Sequence, residues 1–266
     1  MVALVRVRLG GVMAKLAPGT RFVGVDVSTK FTGIIVLSLT PAGQTKFEHS
    51  TLLEMPPASP SNKGEILHLR FASLVDGFSK LYNDNDDGQL AWRVTVEDKI
   101  LMQMKGVVGS HSLAECIACA RIAAEQVFRT RPNTVSPLTA RAGLGLNNMK
   151  TGGNRSATKL LVVNFAQQRL PPQAFAGVAK GGGGVEDVAD AYVLALSAVK
   201  QALCRELCLD EEILKKFKSC HQASLERACT AKELAAGTKV NDEVRAQLEQ
   251  RMPKWLDQVF PKDGDA

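Results

Sequence analysis

Apolar and polar positions alternate in short runs along the first half of the chain, and this alternation predicts β-strands. The runs at residues 21–27 and 32–39 are separated by a short turn with Ser28 and Lys30, which indicates a hairpin. Together with three later runs, they predict a sheet of five strands, at residues 21–27, 32–39, 46–54, 92–97 and 133–136.

Longer segments repeat their apolar residues at helical spacing instead. They predict helices at residues 65–82, 112–129, 159–169 and 185–207. Three strands followed by helices that alternate with short strands are typical of an α/β fold with a mixed five-stranded sheet flanked by helices. The predicted organisation is a basic leader, a main domain and a charged helical C-terminal extension, at residues 1–20, 21–208 and 209–266.

Composition adds a bias toward phosphate-bearing partners. The chain has 266 residues, of which 45% are hydrophobic, so it can bury a substantial core. Its formal net charge of +6 favours nucleic acid among the possible partners. Aromatic residues make up 5% of the chain, which argues against a stacking platform for single strands. No apolar run is long enough to predict a membrane span.

The leader and the cysteines bear on the cellular compartment. The first 25 residues contain Arg6, Arg8, Lys15 and Arg21 but no acid, which is typical of a mitochondrial transit segment. A disordered basic tail is the alternative.

Six cysteines without a secretory signal are expected to be reduced thiols. The pair at residues 116 and 119 lies in an apolar helical run and is expected to be buried, and the later cysteines fit no zinc spacing.

Acidic residues end two of the predicted strands. Asp26 lies near the end of the first strand, on the same face as Phe22 and Gly24 because side chains alternate. Glu97 ends the fourth strand, and Asp98 beside it is the competing candidate. A carboxylate buried at such a position is costly unless it is paired or binds a cation.

A second pair of acids lies on the apolar helix at residues 185–207. Asp187 and Asp190 are three residues apart and therefore share one helical face. Glu186 could replace Asp187, because it is four residues from Asp190. The alternative is a simple N-terminal cap, since the helix dipole favours carboxylates in the first turn.

Carboxylate oxygens are hard ligands that suit Mg²⁺ or Mn²⁺. Two such ions can activate a water and stabilise the leaving oxygen in phosphodiester cleavage. Three separate elements each deliver an acid at an element end, so the sequence predicts a metal site rather than isolated surface acids.

The motifs around these acids resemble the RuvC-type Holliday-junction resolvases, within the ribonuclease H-like superfamily. The resemblance rests on GVDVSTKFTG at residues 24–33, VED at 96–98 and DVADA at 187–191. SPLTAR at 136–141 and SATK at 156–159 resemble the basic segment between them.

This resemblance implies a ribonuclease H-like fold with a set of metal ligands that hold Mg²⁺ or Mn²⁺, as two ions: Asp26, Glu97, Asp187 and Asp190. It also implies that Lys159 lies near the scissile phosphate and that the helix at residues 112–129 forms a homodimer. Phosphate contacts are expected from four basic residues: Lys99, Arg141, Arg155 and Lys159.

Two departures from the family are visible. Ile100 stands where the family often has an aromatic wedge, and the loop at residues 143–154 is long. The leading hypothesis is a Mg²⁺-dependent, structure-selective endonuclease that cleaves branched DNA as a homodimer. The alternative is a non-catalytic RuvC-like binding protein, such as a mitochondrial ribosome-assembly or other RNA-associated factor with ribonucleoprotein partners. A ribonuclease acting on RNA–DNA hybrids shares the same metal chemistry.

Overall fold

A computed structural model describes the chain at residues 1–16, 19–40, 44–57, 63–85, 91–98, 107–146, 154–176, 178, 184–228 and 238–259. The strands are β1 (Thr20–Val27), β2 (Phe31–Leu39), β3 (Thr45–Glu54), β4 (Ala91–Glu97) and β5 (Asn133–Val135). The helices are α1 (Val2–Leu16), α2 (Lys63–Asn85), α3 (Val107–Phe128), α4 (Pro137–Gly143), α5 (Arg155–Gln167), α6 (Gly184–Cys208), α7 (Glu211–Ala228) and α8 (Thr238–Val259), with a 3-10 turn at Pro172–Phe175.

The five strands form one mixed sheet in the order β3-β2-β1-β4-β5. β1 is antiparallel to β2 and parallel to β4, and β4 is parallel to β5. Parallel neighbours need a crossover connection, and α2 and α3 lie in the segments that supply these crossovers. The predicted α/β class and five-stranded mixed sheet are confirmed.

One face of the sheet packs on α2 and α3. Val23, Val25 and Val27 point to this face and are completely buried with Leu74 and Phe78 of α2. The aromatic rings beyond them stack at tilted angles, with 4.9 Å between the ring centroids of Trp92 and Phe128 and 5.6 Å between those of Phe78 and Phe128. This core fixes the position of β1 from one side.

α6 packs directly against the opposite face of β1. A Cβ atom added at Gly24 would lie 2.0 Å from the backbone oxygen of Ala191, and one added at Gly33 would lie 2.3 Å from the backbone oxygen of Asp187. Glycine is therefore required at both positions, because the helix backbone lies directly against the strands. The first two turns of α6 are thereby held over the end of β1.

The chain divides into two compact units. The second unit contains residues 19–38 and 45–198 and includes the core and the face just described. The first unit contains residues 1–18, 39–44 and 199–266, so its boundary falls within α6 rather than at the predicted residue 209.

Within the first unit, the basic leader is helical. α1 contacts α8, and its apolar residues Val5 and Leu9 are buried. Arg8 forms ion pairs with Asp210 and Glu212, at 3.2 and 2.9 Å between nitrogen and oxygen. The N-terminal segment therefore packs as part of a folded unit, which differs from the disordered basic tail given as the alternative to a transit segment.

The paired cysteines of α3 are buried as expected, with 1% of Cys116 and 7% of Cys119 exposed. Burial raises the pKa of both thiols. In the part of the chain that the structure describes, no helix is both long enough and apolar enough to span a membrane.

Candidate functional site

The two strand acids lie side by side on the face of the sheet that carries α6. Asp26 of β1 is paired with Gly33 of the antiparallel strand β2, and Val25 of β1 is paired with Val96 of the parallel strand β4. Glu97 follows Val96, so it is the next residue along β4 and points to the same face as Asp26. Only 6% of Asp26 and 1% of Glu97 are exposed.

Asp98, the competing candidate on this strand, lies elsewhere. Its backbone N–H donates a hydrogen bond of 2.9 Å to the carbonyl oxygen of Val135, which continues the pairing of β4 with β5. The residue itself is exposed. The geometry therefore separates the two acids, with Glu97 on the inner face and Asp98 at the surface.

The acids of α6 lie in its first two turns, over the same region. The backbone oxygen of Asp187 lies against Gly33, the cross-strand partner of Asp26. Asp187 and Asp190 are both half-buried. The fold therefore brings all four predicted acids to one end of the sheet.

Arg141 forms an ion pair with Asp190. Its Nη2 lies 2.6 Å from Oδ1 and 2.7 Å from Oδ2 of the carboxylate, and its Nε lies 3.2 Å from Oδ1. Both carboxylate oxygens therefore accept from one guanidinium. The side chains are 18% and 17% exposed, so the pair is only weakly screened by water.

Lys159 contacts a different acid of α6, because its Nζ lies against Oε2 of Glu186. These side chains are 36% and 39% exposed. Asn154 caps the N-terminus of α5, because its side chain accepts from the backbone N–H of Ala157 at 3.1 Å, and this places Lys159 in the second turn. Two basic residues expected at phosphates thus contact acids of α6.

Two of the four basic residues expected at phosphates fall on the undescribed part of the chain. Lys99 lies outside the described residues, as does Ile100 at the position of the family's aromatic wedge. Arg155 begins α5, but its side chain also lies outside the described part.

One arginine that sequence reasoning passed over lies close to the site. Arg70 of α2 is 3% exposed. Its Nη2 donates to the carbonyl oxygen of Thr29 at 3.2 Å, its Nε to that of Pro56 at 3.4 Å, and its Nη1 to Ser112 Oγ at 3.2 Å. The signal was present in the sequence, because Arg70 occupies the apolar stripe of α2, four residues before Leu74.

Arg70 therefore fixes the turn that follows Asp26. The turn is also closed locally, since Ser28 Oγ accepts from the backbone N–H of Phe31 at 2.9 Å and donates to its carbonyl oxygen at 2.8 Å. A buried guanidinium bonded to backbone carbonyls holds this β1–β2 turn against α2 and α3.

The site fits a divalent cation only in part. Among the described residues, no group of three or more His, Cys, Asp or Glu side chains is arranged so that it could hold a metal ion. Mg²⁺, however, is commonly bound by one or two carboxylates, with waters and substrate phosphates as the other ligands. Asp26 and Glu97 fit that requirement, whereas the oxygens of Asp190 already accept from Arg141.

Comparison with known proteins gives a likeness of fold. No protein-family model and no curated protein matches the chain. The Thermus thermophilus RuvC structure bound to a Holliday junction substrate is 13% identical, with a TM-score of 0.46, over 70% of this chain and 96% of that one. A second structure of RuvC from the same organism is 14% identical, with a TM-score of 0.44 and the same coverage.

The yeast mitochondrial Holliday junction resolvase is 10% identical, with a TM-score of 0.48, over 82% of this chain and 99% of that one. The chain is therefore structurally similar to RuvC-type resolvases at low sequence identity. The chain itself forms a mixed five-stranded sheet in the order 3-2-1-4-5, flanked by helices, which is the α/β class predicted from the sequence.

Proposed function

We propose that this protein is a Mg²⁺-dependent, structure-selective endonuclease that cleaves phosphodiester bonds in branched DNA. The observation that carries the proposal is the pair Asp26 and Glu97, which lie next to each other on one face and are almost completely buried. Two adjacent carboxylates can both supply oxygen ligands to one divalent cation, and one or two carboxylates with waters and substrate phosphates are the ligands that Mg²⁺ commonly has in proteins.

Asp26 and Glu97 would hold the ion, with Asp187 above the same face. When bound, Mg²⁺ would polarise the phosphate and lower the pKa of a coordinated water. The protein would hold these two carboxylates in fixed positions, because β1 and β4 are packed between the α2–α3 core and α6. Lys159 is partly exposed, and its solvent-screened contact with Glu186 is weak enough to be exchanged for a DNA phosphate.

The choice of branched DNA rests on the motif resemblance and on charge. The three acidic motifs occur in the order and spacing of the RuvC-type resolvases, and the net charge of +6 favours a polyanion. A four-way junction is two-fold symmetric, so a symmetric dimer matches it.

An exposed stripe on α3 favours such a dimer. Ile122 is 59% exposed, and Glu115, Ala118 and Glu125 of the same helix are exposed as well. An exposed large apolar residue at a two-fold axis can pack against its own copy in a self-complementary interface.

The test is cleavage of a labelled four-way junction in Mg²⁺. We expect paired symmetric nicks, and a rate at least about 100-fold lower in Asp26→Asn and Glu97→Gln, because each removes a charge next to the reacting phosphate. Asp98→Asn is the matched control, since that acid is exposed on the adjacent position, and it should cleave like the wild type. Linear duplex and an RNA–DNA hybrid separate junction cleavage from other nuclease activities.

The alternative is a non-catalytic nucleic-acid-binding protein, such as a mitochondrial ribosome-assembly or other RNA-associated factor. The Arg141–Asp190 ion pair favours it, because it neutralises one of the four predicted acids. Binding of the junction or of structured RNA without cleavage, in both Mg²⁺ and Mn²⁺, would replace the nuclease proposal with this one.

We also propose that the protein acts in the mitochondrial matrix, on the strength of its basic, acid-free first 25 residues. A full-length chain with a C-terminal fluorescent tag should co-localise with a matrix marker. A diffuse cytosolic signal would contradict the proposal.

A further inference from the structure

The Arg141–Asp190 contact has the geometry of a permanent ion pair. One nitrogen, Nη2, reaches both carboxylate oxygens at 2.6 and 2.7 Å, and Nε adds a third bond at 3.2 Å. Bonds between an ionised donor and an ionised acceptor are about twice as strong as neutral ones. The pair is also largely shielded from solvent, with 18% and 17% of the two side chains exposed.

The backbone around Arg141 is built to hold it in place. Ser136 caps α4 by accepting from the backbone N–H of Thr139 at 3.1 Å. At the other end, the carbonyl oxygen of Arg141 accepts from the N–H groups of Leu144 and Leu146, at 3.1 and 2.8 Å. The preceding Ala140 is completely buried, so the arginine leaves a helix that is fixed at both ends.

The backbone around Asp190 is equally fixed. Its neighbours Ala189 and Ala191 are completely buried, and the backbone oxygen of Ala191 lies against Gly24. One turn earlier, Glu186 makes a single and more exposed contact with Lys159 of α5. Two of the acids in the first two turns of α6, Glu186 and Asp190, therefore each contact a cation from a different neighbouring helix.

We propose that Arg141 permanently neutralises Asp190, so that Asp190 is not a metal ligand and Arg141 takes the place of a second cation. This inference deepens the proposed function. It rests on that proposal in one respect, namely that a single ion would be bound by Asp26 and Glu97. A guanidinium that holds both oxygens of a carboxylate leaves little negative charge for a divalent ion. Arg141 is then a positioning residue that ties α4 to α6 beside the site.

The experiment is a titration of the full-length chain with Mn²⁺, without DNA, followed by electron paramagnetic resonance. We expect one bound ion in the wild type. Asp190→Asn should also bind one, with a larger dissociation constant, because it leaves the positive charge of Arg141 uncompensated near the site. The double variant Arg141→Met/Asp190→Asn removes both charges and should bind one ion with a dissociation constant within about threefold of the wild type. Asp26→Asn should lose the ion. Arg141→Met should gain a second one, since it exposes the carboxylate of Asp190.

A thermal-unfolding cycle of Arg141→Met, Asp190→Asn and the double variant accompanies the titration. If the two residues act as a pair, Asp190→Asn lowers the melting temperature in the wild type and has much less effect in the Arg141→Met background. Two ions in the wild type, one of them lost in Asp190→Asn, would overturn the inference.

The two proposals fail separately. If the wild type neither binds Mn²⁺ nor cleaves the junction in Mg²⁺ or Mn²⁺, the metal-dependent nuclease is refuted, and the unfolding cycle alone decides the role of Asp190. Coupling between the two substitutions then supports the ion-pair assignment, and additive effects overturn it. If the wild type cleaves DNA but the effects of the substitutions are additive, the nuclease stands and the inference about Asp190 is wrong.

Discussion

Replacing Gly24 by alanine is the most direct test of how the site is built. The new Cβ atom would lie 2.0 Å from the carbonyl oxygen of Ala191 and 2.5 Å from the backbone nitrogen of Ala195. Both obstacles are helix backbone and cannot rotate away, so α6 must move by about 1.5 Å to restore ordinary van der Waals contact. Overpacking a core usually costs 1–3 kcal/mol, and we expect about 3 kcal/mol here.

The assay is thermal unfolding followed by tryptophan fluorescence. The chain has two tryptophans, so in a Trp255→Phe background Trp92 alone reports on the unit that contains residue 24. A loss of about 3 kcal/mol corresponds to a melting temperature lower by roughly 6–12 °C for a unit of this size.

Gly143→Ala is the matched control. Gly143 is the last residue of α4 in the same unit, and a Cβ atom there would have no neighbour within 4 Å. It should be neutral or stabilise by up to about 1 kcal/mol, since alanine is the better helix former. Equal melting temperatures for Gly24→Ala and the control would refute the close packing of α6 on β1.

Three further predictions concern other parts of the chain. Arg70→Met should lower the free energy of unfolding in urea by about 3 kcal/mol, because it strands buried carbonyl acceptors, and an unchanged or higher stability would contradict this. Ile122→Asp should convert the dimer to a monomer in sedimentation velocity, and a monomeric wild type at micromolar concentration would disprove the α3 interface. Burial raises the pKa of Cys208 to about 12. At pH 8 iodoacetamide should therefore modify the exposed Cys220 and spare Cys208 until the chain unfolds, as peptide mass mapping would show. The buried thiol also stabilises the folded state fully below pH 9.0, and this contribution should be lost as the pH rises toward about 12.

The strands could be predicted because their signal is local. Alternation and a short turn located the hairpin, and the structure places β1 and β2 within one residue of the predicted bounds. The short helix α4 and the 3-10 turn at Pro172–Phe175 were missed, since seven and four residues are too few to show a helical period. The helix of the leader was missed for a different reason. Charged residues interrupt its apolar residues, so the side that packs against α8 is not recognisable from the sequence.

The candidate site could be predicted only as far as its acids. Alternation along β1 placed Asp26 on the same face as Gly24, where the structure has it. The sequence left Glu97 and Asp98 as alternatives, and the structure separates them, with Glu97 buried and Asp98 exposed. The pairing of Arg141 with Asp190 could not be predicted from the sequence, because the two residues are 49 positions apart and come together only through tertiary packing. Sequence spacing therefore identifies which residues have the chemistry but not which of them neutralise each other.

The close contact between β1 and α6 also sets the order in which the site can form. β1 is the first strand of the chain, whereas α6 follows all five strands, so the contact of Gly24 with Ala191 has a very long sequence separation. Such contacts form late in folding, after the local hairpin and helices. During synthesis, Asp26 and Glu97 are made long before the helix that covers them. A nascent or truncated chain would therefore expose both acids without the completed site, and the proposed cleavage activity would require that α6 has been synthesised and packed.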